Sequence, residues 1–194
     1  MNNVNIEATN LTAINQYAFY NCNKLVDLDL PDTVKTIGNY AFYGCTSLNY
    51  AGKQNKELPS QLTSIGSYAY QGCNSLKSLN IPENLQTIGD YAFAGCYQIS
   101  SIVDKRLTAQ TVSTNTFGSS AGTSNTAFTG YQTKGSNILC TYAAATGYDD
   151  GYWYDPLQDP TKCGFNRQYI DPENLRYCTI SFDAGEGSVS ETSR

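Results

Sequence analysis

Apolar positions in the first half of the chain recur as a block, not as a simple helix or strand period. Ile14-Asn15-Gln16-Tyr17-Ala18-Phe19-Tyr20-Asn21-Cys22 returns as Ile37–Cys45, as Ile65–Cys73 and as Ile88–Cys96. The four isoleucines are 23, 28 and 23 residues apart. A period in the twenties predicts a solenoid whose turns each bury one face on the next.

Each column of the block has a physical reading. Gln16, Asn39, Ser67 and Asp90 precede the Tyr-Ala-aromatic run, and three of the four are good helix N-caps. Asn21, Gly44, Gly72 and Gly95 close the run, the choice for a left-handed residue ending a helical turn. One short helical turn is therefore expected at each of 17–20, 40–43, 68–71 and 91–94. A second Gly/Asn column, Asn15, Gly38, Gly66 and Gly89, is also expected at positive φ.

Apolar alternation after each cysteine, as in Leu25-x-x-Leu28-x-Leu30 and Leu76-x-x-Leu79-x-Ile81, predicts short parallel strands near 25–30, 48–51, 76–81 and 99–103. Pro31, Pro59 and Pro82 follow these strands and are expected at the second position of type I turns. One repeat is longer: Leu48 to Leu58 spans ten residues where Leu25 to Leu30 spans five. The surplus, Tyr50–Glu57, should bulge from the strand side.

These residues resemble the BspA-like, or Treponema pallidum type, leucine-rich repeats. Ile37-Gly38-Asn39-Tyr40-Ala41-Phe42-Tyr43-Gly44-Cys45-Thr46-Ser47-Leu48 is close to that family's consensus. The resemblance covers residues 4–104 well. It implies an α/β repeat solenoid: a right-handed leucine-rich-repeat superhelix of short parallel strands and short helical turns, with an irregular C-terminal cap. Ala127-Phe128-Thr129-Gly130-Tyr131 reads as a fifth, degenerate repeat after an insertion of about twelve residues, which places the solenoid at 1–137.

Residues 138–176 carry no repeat and are expected to cap the open core, with Asn137–Tyr142 as a last strand. The period-two stretch Tyr177–Val189 resembles the opening of an internalin-type B-repeat (the Listeria–Bacteroides repeat), so 177–194 reads as its truncated start. Residues 1–20 lack a basic start and an apolar stretch, and no run reaches the roughly 20 residues of a spanning helix. The chain is thus either cytosolic or an excised piece of a secreted protein, and its ends favour excision. Both resemblances imply an extracellular or cell-surface setting.

Composition narrows the chemistry. The 194 residues are 40% hydrophobic and 15% charged, which excludes a highly charged disordered chain and a membrane-inserted one. A net charge of −5 gives no reason to seek nucleic acid or an anionic membrane. Histidine is absent, which excludes Ser-His-Asp and Cys-His pairs and imidazole metal ligands. Of seven cysteines, Cys22, Cys45, Cys73 and Cys96 share one column. They are expected buried and reduced beside the Phe19, Phe42, Tyr70, Phe93 column. One disulfide among Cys140, Cys163 and Cys178 stays open. Asp149, Asp150, Asp155 and Asp159 lack EF-hand spacing, so no metal or other cofactor is expected.

The leading expectation is a non-enzymatic binding module whose partner is a host or neighbouring-cell protein or glycan. A structural spacer is the alternative, and a carboxylate-based enzyme in the C-terminal segment is the third. The outward strand positions are mostly small and polar. Candidate binding residues are therefore Tyr50, Lys53 and Lys56 in the insertion, and Tyr148, Tyr152, Trp153 and Tyr154 in the aromatic segment. Trp153 equally suits a plug for the solenoid's end.

Overall fold

The computed structural model describes residues 3–6, 10–53, 57–99, 101–106, 116–117, 138–142, 166–170 and 177–178. The repeat coils into a solenoid with parallel strands on two sides. Thr or Ser before isoleucine gives a β-branched pair that suits a pleated, half-buried surface. On that side Ala13–Ile14 (β2), Thr36–Ile37 (β4), Ser64–Ile65 (β5) and Thr87–Ile88 (β7) form a four-stranded parallel sheet in the order β2-β4-β5-β7. Isoleucine faces isoleucine in every register pair.

The expected leucine-bearing strands lie on another side. Asp27–Asp29 (β3) pairs in parallel with Asn3–Asn5 (β1). Ser78–Ile81 (β6) pairs in parallel with Ser101–Asp104 (β8), and Ile138–Tyr142 (β9) follows β8 as the last-strand expectation required. Asn166–Ile170 (β10) continues the sheet in parallel, and Tyr177–Cys178 (β11) closes it antiparallel. No strand forms at 48–51. The insertion breaks the ladder there, and β3 keeps contact with it through Leu30 N–H donating to Gly52 O (2.8 Å) and Asn49 N–H to Val26 O (2.9 Å). The Gly52 site is crowded: an added Cβ would lie 3.0 Å from Pro59 Cδ.

The third side corrects the expectation of helical turns. Residues 17–20 and their equivalents are runs of turns, because Tyr17, Tyr40, Tyr68 and Tyr91 hold φ of 57–61°, a left-handed value no right-handed helix can include. Backbone N–H groups alternate in destination. Ala18, Tyr20 and Cys22 donate three residues back, to Asn15, Tyr17 and Phe19. Tyr17, Phe19 and Asn21 donate across to Asn39, Ala41 and Tyr43 of the next turn, at 2.7–3.1 Å. Asn39 and Ser67 thus act across turns instead of as N-caps: their carbonyls take Tyr17 and Tyr40 N–H, and Asn39 Oδ1 takes Ser67 N–H (2.9 Å).

Of the two Gly/Asn columns, one behaves as expected. Asn21, Gly44, Gly72 and Gly95 have φ of 56°, 70°, 75° and 74°. Asn15, Gly38, Gly66 and Gly89 do not have positive φ. Glycine is required there by proximity: a Cβ on Gly38 or Gly89 would sit 2.6 or 2.4 Å from a backbone nitrogen of the preceding turn. The proline turns shift by one position as well. Val34, Leu62 and Leu85 donate to Pro31, Pro59 and Pro82 carbonyls, which makes each proline the first residue of its turn.

Between the three sides lies one core. Its axis is a stack of rings, Phe19, Phe42, Tyr70, Phe93 and Phe117, with centroids 4.9–5.6 Å apart. Phe117 carries this column on at the regular spacing, and Thr116 O accepts Phe93 N–H. The fifth turn therefore begins well before the Ala127–Tyr131 motif, which lies outside the described residues, and no twelve-residue insertion is needed. Tyr70 stands where its neighbours have Phe; its hydroxyl donates to Ala51 O in the insertion, a carbonyl the missing strand leaves without a ladder partner. At the far end, buried Asp104 replaces the apolar residue that Ile81 supplies one turn earlier. Arg106 answers it with a buried ion pair, Nε to Oδ1 at 2.8 Å, and with its backbone N–H.

Candidate functional site

Alternate residues of each turn point in opposite directions, so the Tyr-Ala-aromatic run sends Ala and the inner ring to the core and its first tyrosine outward. Stacking the turns lines these tyrosines up. Tyr17, Tyr40, Tyr68 and Tyr91 stack at 5.1, 4.8 and 5.0 Å with interplanar angles of 3–17°. Tyr20 and Tyr43 form a second, shorter row at 4.9 Å, and edge contact of Tyr17 with Tyr20 joins the two. Tyr17 and Tyr20 are exposed, and Tyr40, Tyr43, Tyr68 and Tyr91 are half-buried. Partial burial, then the neighbouring Tyr68 and Tyr17 phenols, push the Tyr40 hydroxyl above its ordinary pKa. The surface is thus a preformed row of neutral phenols: rigid aromatic area that loses little rotamer freedom on binding.

This ribbon was absent from the sequence-based candidates. The signal was present as Tyr at every fourth block position, but an expected helical turn left its direction open. Of the expected residues, Tyr50 is half-buried. Lys53 is half-buried and pairs with Asp32 at 2.8 Å. That hydrogen bond, then the Ser60 N–H, hold the Asp32 carboxyl below its usual range. Lys53 is thereby committed to stitching the insertion to the preceding turn. Lys56, Tyr148, Tyr152, Trp153 and Tyr154 lie outside the described residues. The foot of the insertion borders a small cavity of about 250 Å³, where Glu57 pairs with Lys105 at 2.9 Å beside Asn80 and Asn84.

The cysteine column offers no nucleophile. Cys45, Cys73 and Cys96 are buried, and each thiol donates to a ring residue's carbonyl one turn back: Phe19, Phe42 and Tyr70, at 3.1–3.2 Å. Burial pushes Cys45 and Cys96 up to about 12 and raises Cys73 strongly, so all three stay protonated. Cys22 departs from the expectation of burial. It is exposed, because among the described residues no turn stacks on the outer side of its own. Cys140, Cys163 and Cys178 have no described side chains. Among the described residues no three Cys, Asp or Glu side chains converge into a metal cluster, and no helix is long and apolar enough to cross a membrane.

Stacked turns in the twenties, parallel strands and an apolar ladder define a leucine-rich-repeat solenoid. The chain belongs to the BspA type leucine-rich repeat family, whose model matches six copies over residues 1–123. Among solved structures, it is similar to the T. pallidum leucine-rich repeat protein TpLRR, with 33% identity and a TM-score of 0.47 over 53% of this chain and 47% of that one. It is also similar to a leucine-rich repeat protein from Bacteroides ovatus, with 28% identity and a TM-score of 0.46 over 61% of this chain and 35% of that one. The match therefore spans less than half of either solved chain. No curated protein matches.

Proposed function

We propose that this chain is a non-enzymatic binding module of a secreted or cell-surface protein, and that it recognises a host or neighbouring-cell protein or glycan through its tyrosine ribbon. The stacked row Tyr17, Tyr40, Tyr68, Tyr91 carries this reading: four coaxial phenols, partly exposed, held in place by the fold itself. Membership of the BspA-type family supports the setting and the role. The protonated thiols speak against covalent chemistry in the solenoid.

The test is a screen of glycans and extracellular-matrix proteins against the chain. A Tyr40→Asn/Tyr68→Asn variant is compared with one lacking Lys53–Glu57. Asparagine tolerates the left-handed backbone at both positions, so the fold survives. Loss of capture by at least tenfold in the tyrosine variant alone supports the ribbon. Loss only on deleting the insertion moves the site there. Unchanged capture by both, or no captured partner, puts the spacer reading ahead.

A further inference from the structure

The first turn shows solvent the face that every later turn hides. Ala18 is exposed where Ala41, Ala69 and Ala92 are buried. Phe42, Tyr70 and Phe93 carry a ring on both faces, whereas among the described residues Phe19 carries one on its Phe42 face alone. Val4, Tyr17 and Tyr20, three of the most exposed large apolar side chains among the described residues, gather at this same end. The backbone is open too. Asn39, Ala41 and Tyr43 carbonyls each accept an N–H from the preceding turn. Their equivalents are Gln16, Ala18 and Tyr20, and among the described residues no N–H reaches those carbonyls.

Two occupants conflict with this edge. A further turn of the same repeat, stacked at the inner spacing, would meet Asn15. At Gly38, Gly66 and Gly89 an added Cβ lies within 2.6 Å of a backbone nitrogen of the preceding turn, and Asn15 has that Cβ. A second copy docked face to face about a two-fold axis would set carbonyl row against carbonyl row and supply no N–H.

We infer that residues 16–22 form a docking edge for an extended segment of a partner polypeptide. The segment adds to the end of the solenoid through its own backbone, short of the Asn15 corner. Three alternate N–H groups donate to Gln16, Ala18 and Tyr20 carbonyls. The middle donor residue is aromatic and covers the open face of Phe19, as Phe19 itself covers Phe42. The inner turns supply the template: Tyr40, Phe42 and Gly44 N–H donate in this spacing to Ser67, Ala69 and Gln71. The inference is independent of the ribbon's role, because its readout is backbone hydrogen bonding at 16–20.

The probe is an acetylated, amidated peptide copying Tyr40–Thr46 with serine for the cysteine, titrated into the isotope-labelled full chain. Expected are saturable carbonyl and amide shifts confined to residues 14–22. N-methylation of the peptide at its phenylalanine should weaken binding at least tenfold, and so should Ala18→Arg in the protein at unchanged melting temperature. Should Ala18→Arg fail to fold, the methylated peptide decides alone. Absence of shifts at 14–22 at millimolar peptide, or equal binding of the methylated form, overturns the inference. So does self-association of the chain, seen in sedimentation, that Ala18→Arg abolishes, since it would assign the edge to a second copy.

Discussion

A methyl group placed on Gly66 would sit 2.6 Å from the backbone nitrogen of Asn39 in the preceding turn. Gly72, six residues later, has φ of 75° but open space, with Gly44 Cα 3.9 Å from an added Cβ. The two glycines are required for different reasons, and one pair of substitutions separates them. Gly66→Ala and Gly66→Asn should both destabilise by about 1–3 kcal/mol or more, as overpacking does. Gly72→Ala should cost about 1–2 kcal/mol, and Gly72→Asn distinctly less, since Asn visits the left-handed region. Urea unfolding of the four variants checks this; a preference for Asn at Gly66 would contradict the steric account.

The tyrosine column inverts a familiar ranking. Tyr68 holds φ of 61°, where a non-glycine residue is strained. Tyr68→Gly and Tyr68→Ala both remove the ring, but only glycine relieves the backbone. Tyr68→Gly should therefore be more stable than Tyr68→Ala by about 1 kcal/mol, the reverse of the order in an exposed helix. Equal melting temperatures would show that the strain is not felt.

Buried thiols make stability sensitive to alkali. Cys45 and Cys96 rise from an ordinary 9.0 to about 12 on folding. Their protonated form is the folded one, so the contribution is complete below pH 9 and is lost as pH rises towards 12. Each thiol should weaken folding by up to about 1.4 kcal/mol per pH unit in that window. Cys45→Ala/Cys96→Ala should flatten the alkaline limb of the unfolding curve. At pH 8, brief iodoacetamide treatment with peptide mapping should label Cys22 and spare Cys45, Cys73 and Cys96.

The Asp104–Arg106 pair is buried at both ends. Arg106→Leu alone leaves a buried carboxylate without its cation and should cost about 3–5 kcal/mol. Asp104→Ile with Arg106→Leu restores the apolar column that Ile81 begins, and should return most of that stability. A double variant as unstable as the single one would mean that the pair does more than satisfy itself.

How much of this was legible in the sequence depends on what set each feature. The leucine strands and the Cys and Phe columns were readable because apolar identity at a fixed spacing encodes burial. The Asn21, Gly44, Gly72, Gly95 column was readable because Gly and Asn share a left-handed preference. The Gly38, Gly66, Gly89 column carries the same letters for another reason, contact with a turn 23 or 28 residues away, and local sequence does not distinguish the two. The tyrosine φ values were hidden because tyrosine advertises no left-handed tendency. Their conformation follows from the ladder of N–H groups donated across turns, a tertiary constraint. Cys22 was misjudged since a column argument assumes a neighbour on both sides. The ribbon emerged only when the turns proved not to be helices, which fixed which way each tyrosine points.

The cross-turn bonds on the tyrosine side all run one way. Tyr17 donates to Asn39, Tyr40 to Ser67 and Tyr68 to Asp90, and the Phe and Gly rows repeat the direction. Aligned peptide dipoles of this kind add along the solenoid axis, as they do along a helix. The polarity is opposite to a helix: here the negative pole lies at the start of the chain, at the Gln16, Ala18 and Tyr20 carbonyls. The coil is therefore electrically asymmetric despite its repetitive sequence. Cationic groups are favoured at that pole and carboxylates are repelled, so the molecule presents two ends that a partner can tell apart by charge alone.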